Sequence, residues 1–234
     1  MFAANLGWRN VPLAATVASA FGVPVTVEND VRAAAWGEFR FGVHRAARSL
    51  LAVFVGTGVG SGLVVDGRLW PGASNAAGEL GHTRVVPDGL ACRCGARGCL
   101  EQYVSGAGFQ HRLRDALTAG VKTRLAELVE GDPDALDATM VAAAANSGDD
   151  FARAIWTDAT HHFTLAVANY VTLVNPQILI LGGGLFEALP ELFDAVAGGI
   201  LVGTTELARA SLSIEHARLG DWAGVLGAAA LATP

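Results

Sequence analysis

The apolar positions along this chain change period several times, and each change marks an element. Val11–Phe21 carries apolar residues at helical spacing and stops at Gly22, which predicts a helix. Val23–Val27 (VPVTV) is β-branched and predicts a short strand with Pro24 near its start. After Glu28-Asn29-Asp30 the helical period returns over Val31–Phe41, with Asp30 placed to serve as its N-cap. Ser49–Val55 reads as a buried strand, Gly56–Gly62 as a glycine-rich turn and Ser61–Val65 as a second strand. Asp66-Gly67 is a hairpin signal, and Arg68–Trp70 is the return strand. Gly72–Gly81 is irregular, His82–Val86 predicts a strand, and a helix begins near Leu100 after a cysteine-bearing loop.

From Gly108 to Val174 the period is mostly helical, broken at Gly131-Asp132-Pro133 and Ser147-Gly148-Asp149. Gln177–Leu181 is a fully apolar strand that runs into Gly182-Gly183-Gly184. The chain then alternates a helix near Pro190–Gly198, a strand near Ser211–Glu215 and a last apolar helix from Ala223. Hairpins followed by alternating helix and strand, with no internal repeat, indicate an α/β domain.

Two uncharged stretches require a check against a membrane reading. Leu50–Val65 is too short to span and contains four glycines between Gly56 and Gly62. Phe163–Phe186 is long enough, but Asn175-Pro176 and Gly182–Gly184 cut it into helix, turn and strand. Both suit buried core, and with 52% hydrophobic residues in 234 the chain has ample material for one. The net charge of −6 lacks the basic footprint of a nucleic-acid binder. Of sixteen basic residues only Lys122 is a lysine, a bias of coding rather than a phosphate-binding surface. No charged n-region with an apolar run opens the chain, so no signal peptide is expected, and the expected location is the cytoplasm.

The cysteines change the picture most. All three lie between Cys92 and Cys99, an odd and clustered set unlike a disulfide framework. Nine residues separate His82 from Cys92, one separates Cys92 from Cys94, and four separate Cys94 from Cys99. Three soft thiolates and one imidazole suit a tetrahedral structural Zn²⁺ site with no vacancy for water. Gly95 and Gly98 allow the loop to turn back on itself. The competing reading is three buried free thiols beside an unrelated histidine.

Glu28-Asn29-Asp30, Glu79-Leu80-Gly81-His82 and Cys92-Arg93-Cys94-Gly95-Ala96-Arg97-Gly98-Cys99-Leu100-Glu101 together resemble the ROK family of bacterial sugar kinases and sugar-responsive repressors. Agreement extends to Asn5-Leu6, to Asn175-Pro176 with Gly182–Gly184, and to Ala223-Gly224-Val225-Leu226-Gly227-Ala228. The resemblance implies an α/β actin-like ATPase fold, ribonuclease H-like, of two lobes with the N-terminal lobe incomplete. Residues 1–28 would be the remainder of that small lobe, completed by a C-terminal helix at 222–234. Residues 29–221 would form the large lobe with the sugar site, the zinc loop and the ATP-binding turns.

The same resemblance implies roles. Asn29 would hydrogen-bond hexose hydroxyls and Asp30 would be the catalytic base, although without the motif Asp30 reads as a helix N-cap. Glu79, His82 and Glu101 would contact further hydroxyls, His82 with one ring nitrogen on zinc and the other free. Gly56, Thr57, Gly58 and Gly60 would form a phosphate loop, and Gly182, Gly183 and Gly184 the turn that passes the adenosine. ATP would enter with Mg²⁺. The implied activity is phosphorylation of a hexose, glucose before other sugars, by a homodimer.

Two departures accompany the resemblance. No DxGGT-type phosphate loop occurs in the chain, which is expected to start partway into the small lobe and to lose one phosphate clamp. The winged helix-turn-helix of the family's regulators is not found ahead of the shared region, and with Asn29-Asp30 and an unbroken Gly56–Gly62 loop kept, a kinase is expected over its alternatives, a sugar-sensing regulator missing its DNA-binding domain or an inactive truncated kinase.

Overall fold

The computed structural model describes residues 2–3, 7–42 and 46–232; Asn5 and Leu6 fall outside them. A two-residue antiparallel pairing of β1 (Phe2–Ala3) with β2 (Trp8–Arg9) opens the chain, followed by α1 (Leu13–Phe21), which buries no side chain. Next come α2 (Asp30–Phe41), β3 (Leu50–Val55), β4 (Val59–Val65) and β5 (Arg68–Leu69). After the cysteine segment follow α3 (Glu101–Val104), α4 (Gly106–Thr118), α5 (Leu125–Leu128), α6 (Ala138–Asn146) and α7 (Asp150–Val174). The chain closes with β6 (Ile178–Gly182), α8 (Gly184–Ala188), α9 (Pro190–Gly203), α10 (Glu206–Ala210), β7 (Ser213–His216) and α11 (Ala223–Ala232).

The main sheet has the order β5-β4-β3-β6-β7. The pairings β5–β4 and β4–β3 are antiparallel, whereas β3–β6 and β6–β7 are parallel. Strands covered on both faces read as continuous apolar runs, which is how β3 and β6 stand in the sequence. Their side chains divide by period two. Leu51, Val53, Leu179 and Leu181 enter one core with Phe109 and Phe163 from α4 and α7. Leu50, Ala52, Ile178 and Ile180 enter a second core with Trp36, Phe39 and Ala230 from α2 and α11. The sheet is thus the middle of three layers.

Helix α7 is delimited by the chemistry that its ends require. The Asp149 carboxylate accepts from the Ala152 amide as N-cap, and Asn175 adopts the left-handed C-cap conformation with φ 49°. Asp149 also accepts from the Thr123 hydroxyl at 3.0 Å and the Arg124 amide at 2.7 Å, so one buried carboxylate joins two segments.

Four local expectations are corrected. Val23–Val27 is not a strand: no ladder partner faces it among the described residues, and Pro24 lacks an N–H to offer. His82–Val86 is not a strand either. Leu80–His82 is one 3₁₀ turn, and the Val85 and Val86 amides both reach the single Gly98 carbonyl, leaving only a bridge of Arg84 to Cys99. The N-cap of α2 is Asn29, whose Oδ1 accepts from the Arg32 amide, while Asp30 is the first helical residue. Finally, β4 begins at Val59, so only Gly56–Gly58 form the turn, and Gly60 and Gly62 lie in the strand.

Candidate functional site

The start of β4 is where the separate site segments meet. Gly60 carries no Cβ because one would stand 2.6 Å from Cγ2 of Val31, so its small size lets the first turn of α2 lie directly on the strand. This brings Asn29 and Asp30 to the head of β4. On the strand's edge the Ser61 amide and hydroxyl both donate to the Gly78 carbonyl, at 3.1 and 2.7 Å, which fixes the approach to Glu79 and His82. At its beginning the Val59 amide donates to Oε2 of Glu101 at 3.1 Å. The segments that carry five residues expected at a sugar site are therefore anchored on one short piece of strand, Glu101 by its own carboxylate and the others through Val31 and Gly78.

A buried ion pair orders the turn that precedes α2. Arg32, a residue with 1% of its surface exposed, donates through Nε and Nη2 to Oε1 of Glu28. Oε1 of Glu28 also accepts from the Asn29 amide at 2.7 Å. The same guanidinium donates to the Pro71 carbonyl at 3.2 Å and to Oδ1 of Asn75 at 2.6 Å. A planar five-donor fork can hold three partners at once, and here it ties the turn before α2 to the loop that leads to Glu79.

His82, Cys92, Cys94 and Cys99 converge, with their donor atoms all within 4.8 Å of one another. Nδ1 of His82 lies 3.6 Å from Sγ of Cys92, and Sγ of Cys94 lies 3.6 Å from Sγ of Cys99. The other ring nitrogen, Nε2, faces away from the sulfurs toward Oε2 of Glu79 at 3.9 Å. Burial pushes the Cys99 thiol up to about 12, reinforced by its hydrogen bonds to the other two cysteines, and burial also raises Cys92. Cys94 is lowered, chiefly by the Ala96 amide. A soft divalent ion is the species that would stabilise three thiolates in this setting, and the donor set fits one.

The two glycine turns stand side by side. β3 and β6 are parallel neighbours with Phe54 opposite Gly182, and ligands of open α/β sheets collect at such strand C-termini. Gly183, at φ 87°, approaches the end of β3 so closely that a Cβ would stand 2.5 Å from the Val55 carbonyl. Gly56, the residue that follows that strand, opens the other turn. Its carbonyl accepts from the Gly106 amide at 2.9 Å, and that of Thr57 from the Ala107 amide at 3.2 Å, so the N-terminus of α4 holds the turn from behind.

The ROK family model matches residues 1–234, the full length of the chain. The chain belongs to the ROK family. A glucokinase of Streptomyces coelicolor is 36% identical over 99% of this ROK chain and 74% of its own length. A xylose repressor of Caldicellulosiruptor bescii is 32% identical over 99% of this chain and 57% of its own. The crystal structure of a ROK glucokinase from Streptomyces griseus, in complex with glucose and AMPPNP, superposes with a TM-score of 0.80 at 34% identity, over 98% of this chain and 75% of that one. The ROK chain has the expected α/β fold of the actin-like ATPases. No helix among its described residues is long and apolar enough to cross a membrane.

Sequence reasoning overlooked Arg32 and the second contact of Glu101. Arg32 stands four residues after Glu28, a spacing that signals a helical ion pair, but its reach to Pro71 and Asn75 has no local signal. The grip of Glu101 on Val59 spans 42 positions and leaves no trace in the sequence.

Proposed function

We propose that this ROK protein transfers the γ-phosphoryl group of ATP to the 6-hydroxyl of glucose. At the coarser level it is an ATP-dependent hexokinase of the glucokinase type. The observation that carries the reading is the convergence of Asn29-Asp30, Glu79, His82, Glu101 and the Gly56–Gly58 turn on the start of β4.

In this proposal Asn29, Glu79, His82 and Glu101 bind the ring hydroxyls and so orient the 6-hydroxyl toward Asp30. The Asp30 carboxylate accepts the hydroxyl proton as the oxygen bonds to the γ-phosphorus, and the bond to the β–γ bridging oxygen breaks to release ADP. Gly56–Gly58 and Gly182–Gly184 receive the nucleotide, whose Mg²⁺ neutralises charge on the transferring group. Phosphoryl transfer depends on positioning, and the anchoring of these segments on β4 supports the reading in that respect. His82, Cys92, Cys94 and Cys99 would hold a structural Zn²⁺, a set of four protein ligands that suits a structural ion and not a catalytic one. Its part is to fix the segment between Glu79 and Glu101. A homodimer belongs to the same proposal and is tested by sedimentation.

A coupled assay for ADP release tests the activity. Turnover should require glucose, and Asp30→Asn should lower kcat by about 10²–10⁴-fold while glucose still binds. Glucose binding without phosphoryl transfer would favour the regulator reading that the likeness to a xylose repressor raises. Undiminished turnover in Asp30→Asn would refute the role given to Asp30.

A further inference from the structure

Glu101 has two carboxylate oxygens, and one of them, Oε2, is held by its own chain, which leaves Oε1 as the acceptor for a ligand. Oε2 accepts from the Val59 amide at 3.1 Å, at the junction where the Gly56–Gly58 turn becomes β4. Gly58 is shaped around the same atom: a Cβ there would stand 2.9 Å from Oε2. The glycine at this position thus makes room for a carboxylate of its own chain as well as for any phosphate. Two residues before Glu101 lies Cys99, and the helix α4 that follows closes on the Gly56 and Thr57 carbonyls through its first amides. Ser105, wholly buried, caps that helix by accepting from the Gly108 amide at 3.0 Å. The metal loop, Glu101, the α4 N-terminus and the phosphate turn are therefore consecutive links of one hydrogen-bonded assembly.

We propose that Glu101 is a positioning residue for the phosphate turn as well as a hexose ligand, so that hexose and nucleotide binding are coupled through its carboxylate. The inference rests on the kinase reading above and deepens it. A hexose hydroxyl donating to Oε1 fixes the carboxylate's rotamer, and a fixed Oε2 fixes the Val59 amide and the Gly56–Gly58 backbone that receives phosphate. By linkage the effect is reciprocal: each ligand tightens the other by the same factor. A side chain that served the sugar alone would leave nucleotide affinity untouched when altered.

The test uses wild type, Glu101→Ala and Glu101→Gln in the full chain. Two measurements are made on each: hydrogen exchange at the Val59 amide, and calorimetric affinity for glucose and for AMPPNP, each alone and with the other present. Glutamine keeps a carbonyl oxygen for Val59 but has no second acceptor, so it separates the two functions. The expected pattern is that Glu101→Ala speeds Val59 exchange at least tenfold, weakens AMPPNP about tenfold and abolishes the glucose–AMPPNP coupling. Glu101→Gln should keep slow exchange and AMPPNP affinity within about twofold while losing glucose affinity. Unchanged AMPPNP affinity and unchanged coupling in Glu101→Ala would overturn the proposal. A wild-type chain that takes up no nucleotide would overturn the kinase reading and the coupling together, whereas slow Val59 exchange lost in Glu101→Ala would still identify the tether.

Discussion

Replacing Arg32 by methionine removes the charge that organises the Glu28–Asp30 turn while keeping most of the side-chain volume. Its guanidinium side chain is 2% exposed and that of Glu28 15%, so the pair is screened little by solvent. Taking away one partner of a buried ion pair strands the other, at a cost of about 3–5 kcal/mol. The lost bonds to the Pro71 carbonyl and Asn75 add less, because both residues are exposed and water can replace the arginine. The expected destabilisation is about 4 kcal/mol, which for a chain of this size is a fall in Tm of about 8–16 °C. Urea denaturation at pH 7 measures it directly. In the same variant Asn29 loses the carboxylate orientation that holds its amide, so kcat should drop by about ten- to a hundredfold. The double variant Glu28→Gln/Arg32→Met leaves no stranded charge and should be more stable than Arg32→Met alone. A loss below about 1 kcal/mol in Arg32→Met, or a double variant that is simply the sum of the singles, would refute a buried, mutually compensating pair.

Cys94→Ser should reduce the bound zinc measured by atomic emission and lower both Tm and glucose affinity, and a chelator should do the same to wild type; full metal content in the variant would remove Cys94 from the ligand set. Burial alone would raise the Asp149 carboxyl, but the Ala152 and Arg124 amides with the Thr123 hydroxyl outweigh it and hold it below its ordinary value. Its contribution to stability is therefore complete above the unfolded-state value near pH 4 and is lost as pH falls through the lower folded value. Asp149→Ala should cost about 2 kcal/mol at pH 7 and less at pH 2, and a pH-independent difference would contradict this account. Gly227→Ala puts a methyl group into the Ala33 carbonyl of α2 and should destabilise by about 3 kcal/mol or more, read as a lowered denaturation midpoint; a neutral result would mean that α11 does not pack on α2 this closely.

Much of the architecture was legible because it is written in neighbouring residues. The apolar runs of β3 and β6, the helical period of α7 with its break at Asn175-Pro176, and the Asp66-Gly67 hairpin each encode their element within a few positions. The four metal-ligand candidates could be chosen by residue type and spacing alone, since tetrahedral coordination limits both. What failed was whatever depends on a distant partner. Val23–Val27 has strand composition, yet a strand exists only with a ladder beside it, and none faces it among the described residues. Gly60 belongs to a glycine run that reads as phosphate loop, but sheet register places it beneath Val31, where helix packing explains its small size. Sequence by itself named the residues that could do chemistry. Only the tertiary structure decided that β4 gathers the segments that carry them, that Arg32 ties the turn before α2 to Pro71 and Asn75, and that Glu101 reaches Val59 beside the Gly56–Gly58 turn, because each of those contacts joins segments far apart in sequence that packing on the sheet brings together, with no local period to signal them.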